Sequence, residues 1–152
     1  MLYEHEEAIP MAIDNFIYFN GNCREAVECY AEIFGLEKPK FMICGDAPGT
    51  PVFVGTDEDR AKGLIMYAGL QIKGSTVMFA DVPNGRKVTI GDNVCLTVSC
   101  ETREETEEIF NRLKKGGRVT IELQEVFFTK CLGLLTDKFG LSWFIVLQQR
   151  SE

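Results

Sequence analysis

The sequence contains one histidine, His5, and none of its six cysteines belongs to a C-x-x-C pair. Zinc sites are usually built from these two side chains, so the sequence predicts neither a zinc site nor a disulfide framework. Free thiols suit a reducing cytoplasm, which is the expected location of the protein. Cys95 falls in an apolar stretch and is predicted to be a buried thiol.

Long apolar runs and clustered basic charge are also missing. No run reaches the roughly 18–20 residues of a membrane helix, and the first residues lack the basic and apolar regions of a signal peptide. The net charge of −7 argues against nucleic acid, since phosphates require clustered lysine and arginine. We therefore expect a soluble protein with neither a membrane nor a nucleic-acid partner.

Strand and helix patterns alternate along the first half, after a polar lead over residues 1–10. Asn22 and Glu25 have capping-box spacing and predict the start of a helix. Gly74 predicts the turn of a hairpin, and the segment Gly45–Gly63 predicts a loop whose charged run is solvated. The predicted elements are strands over 13–19, 40–44, 64–73 and 75–81, with a helix between the first two.

The second half repeats this order. Thr102 and Glu105 form a second predicted capping box, and Gly140 predicts a second hairpin turn. The two helix starts lie 80 residues apart and the two hairpin glycines 66 apart, a difference that the long Gly45–Gly63 loop accounts for. The further predicted elements are strands over 93–100, 119–123, 132–138 and 141–147, with a helix after the first. The chain therefore reads as a duplicated strand–helix–three-strand unit.

This organisation resembles the vicinal-oxygen-chelate superfamily, and within it the PhnB-like branch labelled 3-demethylubiquinone-9 3-methyltransferase-like. The resemblance rests on 19–26, 30–35, 116–120, 123–125 and above all 135–143, which reads LTDKFGLSW. It implies an α+β glyoxalase/bleomycin-resistance fold, in which two βαβββ repeats form a curled mixed sheet with helices on the outer face. Methyl transfer is not expected, because the sequence has no Gly-rich turn for a nucleotide-type methyl donor.

The resemblance also implies one domain over 11–152, with repeats at 11–84 and 91–149. Metal-using members of the superfamily take ligands from the first and last strands of each repeat. Located from the helix caps and the hairpin turns, the first-strand and last-strand positions of repeat one fall at Asp14 or Asn15 and at Met78, and those of repeat two fall at Asn93 and Phe144. Many members of the branch also carry a His in the strand before the first hairpin, and in this chain that position is Tyr67. Because Met, Asn and Phe are poor ligands for divalent ions, we expect neither a metal nor another cofactor.

Strand alternation separates Tyr67, Gly69 and Gln71 from the apolar set Met66, Ala68, Leu70 and Ile72. The apolar set should pack on the helices, which leaves Tyr67 and Gln71 facing the ligand cup that the resemblance implies. Tyr67 could bind a ligand there or simply fill space. The other candidate ligand residues are Asn93, Phe128 and Phe144, of which the two phenylalanines could equally be core. Phe128 lies in a loop, 126–129, that departs from the Phe-Trp-Gly of the branch.

Two functions stay open at this point. One is a metal-free protein that binds or sequesters a small molecule, as bleomycin-resistance proteins do; this chain resembles them in fold and acidity. The other is an enzyme, working through a divergent metal site or through Glu125 as a general base in a dry cup. Curled sheets leave edges that a second chain can cover, so a homodimer is expected in either case.

Overall fold

The computed structural model describes residues 12–149, so the polar lead over 1–10 lies outside the described residues. The strands are β1 (Asn15–Phe19), β2 (Met42–Ile43), β3 (Ile65–Ile72), β4 (Ser75–Asp81), β5 (Cys95–Cys100), β6 (Arg118–Val126), β7 (Thr129–Thr136) and β8 (Ser142–Leu147). The helices are α1 (Cys23–Ile33), α2 (Pro51–Val54), α3 (Asp57–Ala61) and α4 (Arg103–Leu113). None of these helices has the length and apolar character of a membrane span.

The strands form two four-stranded sheets with the same internal order, β1-β4-β3-β2 and β5-β8-β7-β6. In each sheet the first strand runs parallel to the last, and the remaining pairs are antiparallel. One helix crosses from the first strand to the rest of each unit. The duplicated βαβββ architecture predicted from the sequence is therefore confirmed, with α2 and α3 as an insertion in the first unit.

Helices α1 and α4 cover one face of the sheets and bury a single apolar core that contains residues of both repeats. Phe19 and Phe79 of the first repeat and Trp143 of the second are each at most 2% exposed. The alternation predicted for β3 is confirmed from Tyr67 onward, since Ala68, Leu70 and Ile72 are buried in this core. Met66 was expected to pack with them, but the register shifts where β3 pairs with β2, so that Ile65 is buried in the core and Met66 lines a cavity on the other side. We call the other side of the first sheet, which carries the alternate residues, the open face.

Asp137 joins the two repeats inside this core. Its Oδ2 accepts hydrogen bonds from the Tyr30 hydroxyl of α1 at 2.6 Å and from Trp143 Nε1 at 2.8 Å. Its Oδ1 accepts the amides of Phe139 and Leu141 at 2.8 and 3.0 Å. Four donors compensate the desolvation of a carboxylate that is only 5% exposed. Burial and this carboxylate together raise the pKa of the Tyr30 phenol, which stays a donor.

The two predicted capping boxes form only in part. Thr102 does cap α4, since its side chain accepts the Glu105 amide at 3.1 Å, but the Glu105 carboxylate pairs with Lys73 instead of closing the box. Asn22 makes no side-chain cap at α1. There the Asp81 carboxylate accepts the Cys23 amide at 3.0 Å. A charged acceptor brought in by β4 replaces the local one, because charge-assisted hydrogen bonds are stronger.

Two further predictions are wrong. The predicted loop Gly45–Gly63 contains α2 and α3, and its charged run is not simply solvated, since Asp59 is 3% exposed. The short helices form because Pro51 suits the first turn of α2 and Thr56 caps α3. Cys95, expected to be buried, is exposed, because it begins β5 on the face that α4 does not cover. All six cysteines are free thiols.

Candidate functional site

A cavity of about 740 Å3 lies on the open face of the first sheet. We call it the cup. Its walls come from β1, β3 and β4, from the short strand β2, from the insertion, and from the segment that follows β4. The residues that matter most for its chemistry are Phe16, Tyr18, Met42, Phe53, Tyr67 and Arg86. Its size suits a small organic ligand, since typical ligand pockets are about 300–1,000 Å3.

Three aromatic rings cluster in the cup. Phe16 and Tyr18 of β1 stack with ring centroids 4.8 Å apart, and Tyr67 of β3 meets Phe16 edge-on at 6.4 Å. Phe16 and Tyr18 are 41% and 45% exposed, although their neighbours Ile17 and Phe19 pack in or against the core. Strand alternation thus places rings of large area where a ligand can cover them.

Gly69 makes room for this arrangement. A Cβ atom at Gly69 would lie 2.8 Å from the Tyr67 hydroxyl oxygen, closer than carbon and oxygen can approach without displacement. Gly69 pairs with Met78 of β4, which in turn pairs with Phe16 of β1. The missing side chain therefore lets the Tyr67 phenol lie along its own strand.

The insertion supplies the outer wall of the cup. α2 carries Val52 and Phe53 beside the cavity, where they are 56% and 78% exposed. The α2 backbone is held in place by Asn84, whose side-chain amide donates to the Pro51 carbonyl at 2.7 Å. An apolar wall that remains this exposed is typical of a surface that another molecule covers.

Asp59 anchors the insertion to the segment after β4. Its Oδ2 accepts the amides of Thr56 at 2.8 Å and of Asn84 at 3.1 Å. Burial by itself would raise the pKa of this carboxyl, but the hydrogen bonds from Thr56 and Asn84 outweigh it and lower the pKa below the usual value. Asp59 is therefore ionised at neutral pH and acts as a fixed structural acceptor.

The positions that would hold the superfamily's metal do not fit one. Met78 lies mid-strand in β4 and Phe144 mid-strand in β8, and neither offers a hard donor. Asp14 and Asn15 are the two alternatives for the first-strand position. By strand alternation Asp14 lies on the same side as Phe16, the open face, whereas Asn15 lies on the covered face. A single carboxylate is too few to hold a metal ion. Within residues 12–149, no three His, Cys, Asp or Glu side chains are grouped as a metal would need. His5 lies outside the described residues.

Tyr67 and Gln71 lie on the open face as the alternation predicted. Tyr67 lines the cup, and both residues line a neighbouring groove in which the Gln71 amide donates to Thr76 Oγ1 at 2.6 Å. Asn93 lines a second cavity of about 360 Å3, where the segment before β5 meets β1; this cavity shares Phe16 and Tyr18 with the cup but contains neither Tyr67 nor Gln71. The structure therefore brings Tyr67 and Gln71 together and places Asn93 apart from them.

The remaining candidates belong to the second repeat. Phe144 is half-buried at the centre of the second sheet, paired with Thr97 and Leu134. Phe128 lies in the two-residue turn between β6 and β7 and is 47% exposed. Glu125 is exposed near the end of the edge strand β6, which is not the dry surrounding that a carboxylate base would need.

Sequence reasoning missed Phe16, Tyr18, Phe53 and Arg86 as cup residues. A signal existed for the first two, since Phe16 and Tyr18 alternate with Ile17 and Phe19 along a predicted strand. Both faces of that strand are apolar, however, so its sequence does not show which face the helices cover. For Phe53 and Arg86 no signal existed, because the cup receives them from connections whose course depends on contacts distant in sequence.

The buried thiols are held in an unreactive state. Burial, reinforced by Asp59 and Asp81, raises the pKa of Cys44 to about 11. Burial likewise raises the pKa of Cys23, at the start of α1, and Asp81 adds to the shift. Thiols of this kind remain protonated at neutral pH and are poor nucleophiles.

Comparison with known proteins supports the same architecture. The chain is 28% identical over 151 residues to protein YjdN of Escherichia coli (strain K12), a match that covers 93% of this chain and 100% of that protein. The crystal structure of protein PA1353 from Pseudomonas aeruginosa matches with a TM-score of 0.77 and 29% identity, over 93% of this chain and 100% of that one.

A PhnB protein from Bacillus cereus, also described as a 3-demethylubiquinone-9 3-methyltransferase, matches with a TM-score of 0.64 and 27% identity, covering 91% of this chain and 100% of that one. A glyoxylase/bleomycin resistance protein/dioxygenase domain from Frankia sp. EAN1pec has the same fold, with a TM-score of 0.60 at 15% identity over 93% of this chain and 100% of that domain. The family model described as 3-demethylubiquinone-9 3-methyltransferase matches residues 11–146. The chain therefore belongs to that family, the PhnB-like branch of the vicinal-oxygen-chelate superfamily.

Proposed function

We propose that this PhnB-like protein binds an apolar or aromatic small molecule in the cup, without the help of a divalent metal. The observation that carries the proposal is the exposed aromatic cluster of Phe16, Tyr18 and Tyr67 on the floor of a cavity of about 740 Å3. Exposed rings are costly in water and become favourable when a ligand covers them. In this proposal Tyr67, from the sequence-predicted set, contacts the ligand.

The chemistry of the cup favours binding over catalysis. The Asp81 carboxylate reaches the cavity wall, but its oxygens already accept the amides of Gly21, Cys23 and Ile65 at 2.9–3.0 Å. Glu125, the carboxylate of the enzyme alternative, is exposed on the other sheet. With these groups occupied or distant, the cup presents mainly apolar surface, and affinity should depend on buried area.

The methyl transfer in the family's description is not part of this proposal. A nucleotide-type donor is held by the positive end of a helix that follows a Gly-rich turn. In this chain the turn between β1 and α1 is occupied by Asp81, whose carboxylate accepts the Gly21 and Cys23 amides. The site that would receive an anionic group already holds a negative charge.

Titration with the fluorescent probe 1-anilinonaphthalene-8-sulfonate tests the proposal. Phe16→Ala should raise the dissociation constant by about tenfold or more, since covering one aromatic side chain is worth roughly 1.5–3 kcal/mol. The matched control is Ile13→Ala, an exposed apolar residue of the same segment outside the cup lining, which should leave the dissociation constant unchanged. Equal effects of the two variants would overturn the cup as the binding site.

The metal-free part of the proposal has its own measurement. Elemental analysis after mild dialysis should find far less than one equivalent of Ni, Zn, Fe or Mn per chain. Added Zn2+ or Mn2+ should leave the probe's dissociation constant unchanged. One tightly held metal per chain, or a metal-dependent affinity, would mean that the ligand set has been misidentified.

A further inference from the structure

The turn between β6 and β7 carries an aromatic pair that the fold of a single chain does not use. Phe127 is 100% exposed and Phe128 47% exposed, and their rings meet edge-on at 5.0 Å. We call these two residues the aromatic tip. The β3–β4 turn of the first repeat is also two residues long, and there it is Lys73-Gly74, a polar pair with positive φ at both positions that suits a tight hairpin. Hairpin geometry therefore does not call for two phenylalanines.

We propose that the aromatic tip of one chain inserts into the cup of a second copy of the same chain, so that the partner completes the wall of the ligand site. Tip and cup belong to different repeats, and Phe127 is fully exposed, so the tip does not occupy the cup of its own chain. A two-fold arrangement places each tip in the other chain's cup and leaves neither exposed.

The cup has room for both the tip and a ligand. A cavity of about 150 Å3 is enough to hold a benzene ring. Two phenyl rings therefore take on the order of 300 Å3 of a cup of about 740 Å3. The space that remains still falls within the size of a typical small-molecule pocket.

The charges at the two surfaces are complementary. Arg86 is an exposed cation on the cup lining. Glu125 is an exposed carboxylate two residues before the aromatic tip, on the strand that would enter with it. Docking the tip brings a carboxylate toward an arginine, a pairing that fixes the orientation of an interface and excludes mismatched partners.

The apolar area is also sufficient. Aromatic side chains bury about 150–250 Å2 each when fully covered, so two tips and two cups together bury on the order of 1,000 Å2. That is near the lower limit of a specific interface. We expect a dimer that dissociates at measurable concentrations.

Sedimentation equilibrium of the full chain without ligand tests the inference. Wild type should be a dimer, and Phe127→Glu, which places a carboxylate in an apolar cup, should raise the dimer dissociation constant at least a hundredfold. Phe53→Glu, on the cup wall, should do the same. Both side chains are mostly exposed, so the melting temperature of the monomer should be unaffected. Ile13→Glu, at an exposed apolar residue away from both surfaces, should leave the dimer intact.

Mixing the two defective variants gives the sharpest result. Alone, each variant has no intact contact, because every tip–cup pair includes one altered side. A mixed dimer retains one intact contact, between the tip of the Phe53→Glu chain and the cup of the Phe127→Glu chain. The mixture should therefore associate more tightly than either variant alone. A mixture no tighter than its components would overturn the inference.

A charge exchange supplies a second test that disturbs no apolar contact. Glu125→Arg and Arg86→Glu should each weaken the dimer by about tenfold, and the double variant should recover to within about threefold of wild type. A monomeric wild type, an equal loss with Ile13→Glu, or no recovery in the double variant would each overturn the inference. The inference shares the cup with the proposed function but needs no ligand, so probe binding by a monomer would separate the two failures.

Discussion

The two repeats share one topology and use it differently. In the first, β2 is two residues long and the chain turns into the α2–α3 insertion, which walls a cup beside exposed rings. In the second, the equivalent strand β6 runs for nine residues and ends in a two-residue aromatic turn. The comparison teaches that the βαβββ pattern determines the sheets, while the connection after each helix determines whether a repeat forms a cavity or a projection.

Asp81 in the first repeat and Asp137 in the second are both buried carboxylates, and they differ in which segments of the chain they connect. Asp81 holds together segments of the first repeat, accepting amides from Gly21, Cys23 and Ile65. Asp137 accepts donors from both repeats, since Tyr30 belongs to the first. The repeats are therefore joined by a polar contact inside a shared core, and we expect them to unfold together.

The largest effect on stability is expected from a substitution that removes the hydrogen bonds of Asp137 between the repeats. Asp137→Ala leaves three buried donors and one part-buried donor without an acceptor, and because each unsatisfied donor costs about 1–3 kcal/mol, it should lower the free energy of unfolding by about 3–5 kcal/mol. Tyr30→Phe, which removes one hydroxyl and keeps the ring, should cost about 1.5–3 kcal/mol. Urea unfolding followed by circular dichroism measures both, with exposed Asp92→Ala as the control. Two separate transitions in wild type would contradict the joint unfolding of the repeats.

An intermediate effect is expected from a substitution that destabilises only the α2–α3 insertion. Asp59→Ala removes the Thr56 capping partner and the Asn84 anchor, and should raise amide hydrogen exchange over 51–61 by about tenfold, as expected for a loss of about 1–2 kcal/mol. Exchange in β5 to β8 should not change, because the second repeat has no equivalent of the insertion. Equal acceleration in both repeats would mean that Asp59 supports the whole fold.

The contribution of Asp59 to the stability of the insertion depends on pH, in a direction that follows from its lowered pKa. The pKa of Asp59 is lowered in the folded chain, so its contribution is complete above the unfolded value near 4. It should be lost as the pH falls through the lower, folded value. Exchange over 51–61 should therefore rise in acid, after correction for intrinsic exchange, and the Asp59→Ala variant should not show this rise.

The smallest expected effect concerns the ion pair between the repeats. Lys73 of the β3–β4 turn pairs with Glu105 of α4, and both side chains are about a third exposed at 35%. Lys73→Met should lower the free energy of unfolding by at most about 1 kcal/mol, and salt should reduce the difference. Urea unfolding at two salt concentrations measures it; a loss above about 2 kcal/mol would make this pair, rather than Asp137, the main link.

Much of the fold could be predicted from local patterns. Thr102 lies at its helix start and Gly74 and Gly140 at their turns, because caps and tight turns depend on residues adjacent in sequence. Asn22 failed as a side-chain cap because a better acceptor, Asp81, arrives from a strand about 60 residues later. The insertion was missed because helices of four and five residues leave too little periodicity to detect.

The candidate site could be predicted only in part, and for the same reason. Tyr67 and Gln71 were placed on the open face because alternation within one strand is a local property. The cup around Tyr67 also needs Phe16 from a strand that pairs with β4, and Phe53 from the insertion. Whether Asn93, Phe128 and Phe144 contact a ligand remains a prediction. For Phe128, the proposed insertion of the aromatic tip into the cup of a second chain would place this residue beside the ligand.

By itself, the sequence determined the duplication and the order of the eight strands and of the two long helices α1 and α4. Each of these depends on spacing or residue type, which the chain carries without folding. The tertiary structure decided which face of β1 is exposed, which carboxylate caps α1, and that an apolar cup and an aromatic tip lie on different repeats. These depend on pairing and packing between distant segments, and local propensities do not encode them.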